Sequence, residues 1–189
     1  MWVRVPPSAP IVFLIIKGTC ANLLQEDGDT LLYFNELRVE DPHRIVGTRC
    51  ETRDRGATFR EVRAGTVFQL PDEISIDLES PPSYWGQCEQ FVYQYGFLRE
   101  GETVWTLLGA HCTAGAWCRL MLFRSADGAR TFDYVSTIGG ASDSGHGGFT
   151  EPAIARTTDG SLLVVARTEY PRDDWRYLAG FRSSDDGVT

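Results

Sequence analysis

The 189-residue chain has no long hydrophobic run, no excess of positive charge, no Cys-x-x-Cys pair and few stripes of the kind that mark amphipathic helices. The apolar run Ile11–Ile16 is six residues long, too short to span a bilayer and short for a signal-peptide core. Lysine and arginine number 18 against 26 acidic residues, a net charge of −8. That balance argues against nucleic acid or an anionic membrane as the main partner, since both need a basic face. An anionic small substrate is not excluded, because it needs only local arginines. The five cysteines, Cys20, Cys50, Cys88, Cys112 and Cys118, show no zinc-finger spacing with histidine. They read as buried free thiols, with a Cys112–Cys118 disulfide as the alternative. His43, His111 and His146 have no partners at metal-ligand spacing, so neither a metal nor another cofactor is expected.

What the chain does contain is glycine, aromatics and short apolar runs, the composition of many short strands. The stretch GFTEPAIARTTDGSLLVVART, Gly148 to Thr168, sets two such runs around Asp159-Gly160. Asp-Gly between alternating apolar segments is a strong hairpin signal, because glycine supplies the positive φ of a tight turn. Glu151 and Arg167 each lie eight residues from Asp159. Folding about the turn therefore makes them approximate cross-strand neighbours at the far end.

The hairpin recurs as ANLLQ-EDGD-TLLYF around Asp27 and as FVYQYGFL-REGE-TVWTLL around Glu100. Each hairpin is followed by a second motif: Thr52-x-Asp54-x-Gly56-x-Thr58-Phe59, then Ser125-x-Asp127-x-Ala129-x-Thr131-Phe132, then Ser183-x-Asp185-x-Gly187-x-Thr189. The distance from turn to motif is 27, 27 and 26 residues, whereas successive turns are 73 and 59 apart. A fixed core with variable linkers is the behaviour of structural repeats. A third apolar run precedes each motif (HRIVGTRC, WCRLMLFR, WRYLAGFR), and a fourth follows the first two (FREV, FDYVSTI). Four short antiparallel strands, A to D, make a sheet that repeats along the chain, which is a propeller blade. The motif aspartate is expected to accept turn amides, and Ala129, standing where the other two copies have glycine, to alter its turn slightly.

Ser/Thr-x-Asp-x-Gly-x-Thr-aromatic at this spacing resembles the Asp-box, or bacterial neuraminidase repeat, of the sialidase superfamily. The resemblance covers roughly Gly18 to Thr189 and implies an all-β fold, a six-bladed β-propeller of which about three blades are present. Residues 1–17 are expected to be a non-native or unstructured leader, since MWVRVPPSAP looks foreign and back-translates into transfer-RNA-like sequence, as read-through from a neighbouring gene would. Blade one is expected at about 18–62, a linker at 63–86, blade two at about 87–138 and an incomplete blade three at about 148–189.

Antiparallel connectivity puts the Asp-boxes and Asp-Gly turns at one end of each sheet, where the boxes are structural. The opposite end holds the loop NELRVEDPHR with Arg38, Asp41 and His43, and also His111, Glu151, Arg167 and TEYPRDDWR. Loops at one end of a rigid scaffold are the usual seat of function. The resemblance to sialidases implies that Arg167 belongs to an arginine triad holding the substrate carboxylate, for which a guanidinium fork is suited. It implies that Glu151 polarises a tyrosine nucleophile and that Asp41, with Arg38 before it as a further anion contact, is the acid/base. The third arginine and the tyrosine would lie beyond Thr189; Tyr33, Tyr84, Tyr93, Tyr95, Tyr134, Tyr170 and Tyr177 read as strand or loop aromatics. The family's first triad arginine is replaced here by Thr19. The expected function is removal of a terminal sialic or related acidic sugar from a glycan or sialoglycoconjugate, by an exo-alpha-sialidase-type glycosidase that is secreted or periplasmic. The alternative is a non-catalytic Asp-box propeller that binds glycans or proteins. A three-blade piece is expected to be inactive alone and, with open sheet edges, prone to aggregate.

Overall fold

The computed structural model describes residues 23–25, 31–52, 54, 58, 60–78, 92–113, 116–140, 148–168 and 178–189. The expected leader, Thr19, His146, Cys20, Cys88 and most of the TEYPRDDWR loop lie outside them.

The described residues form eleven strands and no helix. They are β1 (Leu23–Gln25), β2 (Leu31–Asp41), β3 (Arg44–Thr52), β4 (Arg60–Gln69), β5 (Val92–Glu100), β6 (Thr103–Cys112), β7 (Ala116–Ser125), β8 (Thr131–Gly139), β9 (Phe149–Arg156), β10 (Leu162–Thr168) and β11 (Leu178–Ser183). Strands β1 to β4 and β5 to β8 are two antiparallel meanders, and β9 to β11 start a third. These are the three repeats, each strand in its expected order. β4 runs to Gln69, past residue 62, and Leu70, Ile74 and Ile76 behind it are buried in the core. The stretch expected as a linker therefore begins as folded structure.

The three meanders are called blades one to three below. The first two join into one eight-stranded sheet, β1-β2-β3-β4-β8-β7-β6-β5, and the third is a separate three-stranded sheet, β11-β10-β9. Strands β4 and β8 pair in parallel, Val67 opposite Thr131 and Gln69 opposite Asp133. Strand β5 contacts β1 and β2 of blade one and β9 of blade three. Blade two is thus packed on both faces, and its strands show why. Along β7 the side chains alternate between two cores: Met121 and Phe123 face blade one, Leu120 and Leu122 face blade three. Such two-faced burial yields an apolar run without polar alternation. Each buried side chain contributes about 1.5–3 kcal/mol. Between blades one and two, Phe68 stacks on Phe132 at 4.8 Å and meets Phe123 edge-on at 5.5 Å. In the core shared by blades two and three, Phe149 and Phe181, both of blade three, meet edge-on at 5.0 Å and pack with Leu120 and Leu122 of blade two.

The three aspartate loops close with one hydrogen-bond pattern. Thr52, Ser125 and Ser183 each donate to the aspartate two residues on, at 2.6 to 2.7 Å. The backbone N–H groups of Thr58, Thr131 and Thr189 each donate to that carboxylate at 2.9 to 3.1 Å. The hydroxyl and amide donors hold Asp54 and Asp185 at about 2, below the ordinary 3.8. At Asp127 burial pushes upward, but the Thr131 and Ser125 donors outweigh it and the net shift is down.

The second loop keeps its shape despite lacking the expected glycine. Ala129 takes φ 62°, next to Gly128 at 69°, just as Gly187 takes 81° next to Asp186 at 59°. Each of these loops plugs into the preceding blade: Thr66 Oγ1 donates to Ala129 O at 2.8 Å and Ser136 Oγ to Gly187 O at 2.5 Å. What differs is the residue beneath. Three positions before the loop's hydroxyl residue, blade one has Arg49, whose Nη1 donates to Gly128 O at 3.0 Å. Blade two has Leu122, whose Cδ2 fills the space a Cβ on Gly187 would take. Methyl and leucine therefore exclude each other, and Ala129 is allowed where a guanidinium arrives from the side.

Cys112 is a free, buried thiol, which removes the Cys112–Cys118 disulfide. Burial pushes its pKa up to about 11, so it is an inert core residue.

Candidate functional site

Two inter-blade contacts fix which end of each sheet is which. Glu100 ends β5 and Arg156 ends β9; the two form a bidentate pair, Nε to Oε1 at 2.8 Å and Nη2 to Oε2 at 2.5 Å. Trp105 Nε1 adds a donor to Glu100 at 3.0 Å. The Arg156 hydrogen bonds, aided by its charge and by Trp105, hold the Glu100 carboxyl below its ordinary value against the opposing effect of burial. The ends of β5 and β9 therefore share one rim with the aspartate loops. Gly139, ending β8, lies against Phe149, which begins β9. The opposite rim accordingly gathers the β2–β3 turn, the end of β6, the start of β9 and the end of β10.

On that rim Glu151 and Arg167 meet, as expected: Arg167 Nη1 lies 3.2 Å from Glu151 Oε2, and Arg167 Nε donates to Thr150 Oγ1 at 3.3 Å. The local backbone is irregular. Val165 pairs with Ala153 but Arg167 with Thr150, so Glu151 and Pro152 together oppose Ala166, a β-bulge. Glu151 takes φ 48°, a left-handed conformation that costs a non-glycine residue about 1–2 kcal/mol. Bulges re-aim side chains and are over-represented beside active sites. Pro152 sits in the bulge without a register partner on β10, in a strand at the edge of its described three-stranded sheet, a place where proline is tolerated. Arg167 is mostly covered while Glu151 stays exposed, so the pair presents its carboxylate outward over an anchored guanidinium.

Arg38 and Asp41 stand differently from expectation. β2 continues to Asp41, and Arg38 pairs with Val46 across it, so NELRVEDPHR is mostly strand with a Pro42-His43 turn. Leu37 and Val39 pack on the core while Arg38 and Glu40 face out, and that alternation made the strand. Arg38 is ion-paired with Glu40 at 2.8 Å, and Glu40 also holds Arg44. Asp41 Oδ1 accepts the His43 backbone N–H at 2.8 Å. Beside this turn is a group the sequence did not bring together. His43 Nδ1 is 2.9 Å from Ile74 O, His111 Nε2 is 3.6 Å from Asp77 Oδ2, and Ser75 shares a 2.6 Å hydrogen bond with Thr113. The available signal was the alternation in Glu73-Ile74-Ser75-Ile76-Asp77, whose Ile76 bridges to Cys112. Among the described residues no cluster of three or more His, Cys, Asp or Glu side chains could hold a metal. No described helix is long and apolar enough to cross a membrane.

No protein-family model and no curated protein matches the sequence. Solved structures do match. A candidate exo-beta-1,3-galactanase from Bifidobacterium bifidum s17 is similar at TM-score 0.50 and 15% identity, over 89% of this chain and 49% of that one. An alpha-L-arabinanase from Penicillium chrysogenum, complexed with arabinobiose, is similar at TM-score 0.48 and 10% identity, over 84% and 42%. An exo-beta-1,3-galactanase from Clostridium thermocellum is similar at TM-score 0.46 and 12% identity, over 88% and 34%. The chain spans about half the length of the first and less of the others. At this identity the likeness is one of fold: an all-β arrangement of the kind seen in β-propeller glycoside hydrolases. It does not single out sialidases among them.

Proposed function

We propose that this chain carries part of a glycan-acting propeller whose rim at Glu151, Arg167 and Thr150 meets the carboxylate of an acidic sugar, in an exo-alpha-sialidase type of hydrolysis. The observation that carries this is the 3.2 Å Glu151–Arg167 pair on a bulge that holds Glu151 in a left-handed backbone. A plain surface ion pair is worth about 0–1 kcal/mol, less than the backbone cost of that geometry. Stability alone therefore gives no reason for the arrangement, whereas a binding role does. In this role Arg167 receives the substrate carboxylate and Glu151 polarises a tyrosine nucleophile. Asp41 protonates the leaving oxygen, with Arg38 beside it as a further anion contact. The residues span two blades but share a rim.

A second reading, a non-catalytic glycan or protein binder, is favoured by Thr19 at the first triad position and by Asp41. The Asp41 carboxylate is already engaged as a turn acceptor for His43, which restrains its reach toward a leaving group.

The test is a hydrolysis and binding panel on the full-length propeller that this reading calls for, and on its Glu151→Gln and Arg167→Ala variants. The panel holds terminal sialosides, the same glycans without the acidic sugar, and neutral arabinan and galactan oligosaccharides of the kinds named for the structural neighbours. Sialoside turnover lost in both variants supports the enzyme, and sialoside binding without turnover the second reading. Preference for the neutral oligosaccharides, or indifference to both substitutions, overturns the acidic-sugar assignment.

A further inference from the structure

Residues 70–77 follow β4 along the rim that holds the Glu151–Arg167 pair and cross from blade one to blade two. At the blade-one end, the Leu70 N–H donates to His43 O at 2.9 Å and the Ile76 N–H to Pro42 O at 2.8 Å. Gln69 Nε2 adds a 3.3 Å bond to His43 O. At the blade-two end, the Asp77 N–H donates to His111 O and the Thr113 N–H to Ser75 O, each at 3.0 Å, and the Ser75 and Thr113 hydroxyls share a 2.6 Å bond. Leu70, Ile74 and Ile76 are buried in the core beneath. Main-chain bonds at both ends and apolar anchors along its length make this strap a firm tie between the blades.

The tie reaches Asp41 through His43. Ile74 O can only accept, so its 2.9 Å contact with His43 Nδ1 places a hydrogen on Nδ1 in either charge state of the ring. The ring therefore donates to the strap, while the His43 backbone N–H donates to Asp41 Oδ1 at 2.8 Å. One carboxylate oxygen is fixed in this way, and among the described residues Oδ2 has no partner. Holding Oδ1 sets the direction in which Oδ2 points, which is how a supporting shell orients a working group.

We infer that His43 is a positioning residue: through its ring and its N–H the strap aims Asp41 Oδ2 and keeps it in register with blade two. The role rests on the reading of Asp41 as the group that protonates the leaving oxygen. Under that reading the Oδ1 bond aims the acid and leaves the other oxygen for the proton.

Two measurements test the aim. In the 189-residue chain, Thr113→Pro deletes the N–H and the hydroxyl that reach Ser75, and His43→Leu deletes the ring donor. Amide exchange at positions 43 and 76 is expected to quicken at least about tenfold in both, with β7 and β10 unchanged. Thr113→Val, which loses only the hydroxyl, gives a smaller change in the same direction. His43→Asn, whose side-chain amide sets a donor where Nδ1 stands, keeps the slow rates. In the full-length propeller, turnover is compared on an alkyl sialoside, whose leaving oxygen needs a proton, and an aryl sialoside, whose leaving group departs without one. His43→Leu is expected to lower kcat on the alkyl substrate at least about tenfold, with KM and aryl turnover little changed, and His43→Asn to regain most of the loss. Unchanged exchange in the proline and leucine variants overturns the tie, whatever the activity. Equal loss on both substrates, no loss, or no rescue by asparagine overturns the aiming and leaves the glycosidase reading in place. An unaltered propeller that turns over neither sialoside overturns that reading and the aiming with it, while the exchange rates still decide the tie.

Discussion

Replacing Gly187 by alanine tests the coupling between each aspartate loop and the blade beneath it. Gly187 sits at φ 81°, where alanine costs about 1–2 kcal/mol, offset by about 0.4–1 kcal/mol from a stiffer unfolded chain. The new methyl overlaps Leu122 Cδ2, and overpacking of a filled core typically costs about 1–3 kcal/mol. The expected loss is about 2–3 kcal/mol. Ala129→Gly should behave differently. Relief of the same backbone strain is balanced by the lost entropy advantage and by the burial of one methyl, about 0.8 kcal/mol, so the net change should lie near zero. Urea unfolding followed by tryptophan emission reads both. In a Leu122→Ala background the overlap is gone, and Gly187→Ala should cost only about 1 kcal/mol, the backbone remainder. Equal effects of Gly187→Ala and Ala129→Gly, or the same Gly187→Ala penalty with and without Leu122, would refute the pairing of leucine with glycine and arginine with alanine.

The aspartate loops should make the fold acid-labile in a defined window. Asp54, Asp159 and Asp185 are lowered from 3.8 to about 2 by hydroxyl and amide donors. Their folded-state values are depressed, so their contribution is complete above about pH 4 and is lost as pH falls through about 2. Asp54→Asn and Asp185→Asn should flatten the stability-versus-pH curve there while leaving its neutral plateau lower. Glu100, also depressed, adds to the loss below its ordinary value of 4.5; Glu100→Gln should cost about 1–2 kcal/mol at pH 7 and remove that share of the acid sensitivity. Arg49 is buried, bonded to Gly128 O and to Glu51, so Arg49→Ala should cost about 2–4 kcal/mol through an orphaned carbonyl and a cavity, measured by the same unfolding curves. Arg167→Lys should lower affinity for an acidic sugar by tenfold or more with little change in stability, because an ammonium cannot reproduce the guanidinium fork; isothermal titration against a sialoside and its neutral counterpart reads the difference.

The repeat was legible because its signals are local. Asp-Gly at 159 and Glu-Gly at 100 demand particular φ values, and each loop aspartate must sit two residues from a hydroxyl to close its turn. Such constraints survive in the sequence whatever surrounds them, and all three units folded in the order they gave. The ion pair Glu151–Arg167 was legible for the same reason, since equal arms about a hairpin turn bring their ends together. The β2–β3 region was harder. The charged residues of Leu37-Arg38-Val39-Glu40 suggest a loop by composition, but their alternation with Leu37 and Val39 is a strand with one wet face. Composition and periodicity disagreed, and burial of Leu37 and Val39 against the core settled it.

The bulge at Glu151 belongs to a different class, because nothing local requires it. Glutamate has no preference for φ 48°, and Pro152 restricts its neighbour toward extended backbone rather than toward a left-handed one. The conformation is imposed by register: Arg167 must face Thr150 while Val165 faces Ala153, and one strand therefore carries an extra residue. A sequence can show that Glu151 and Arg167 arrive at the same rim. It cannot show that the carboxylate is turned outward over a covered guanidinium, because that depends on the offset between β9 and β10. A strained residue that gains little from its own ion pair is the least expected outcome of folding alone.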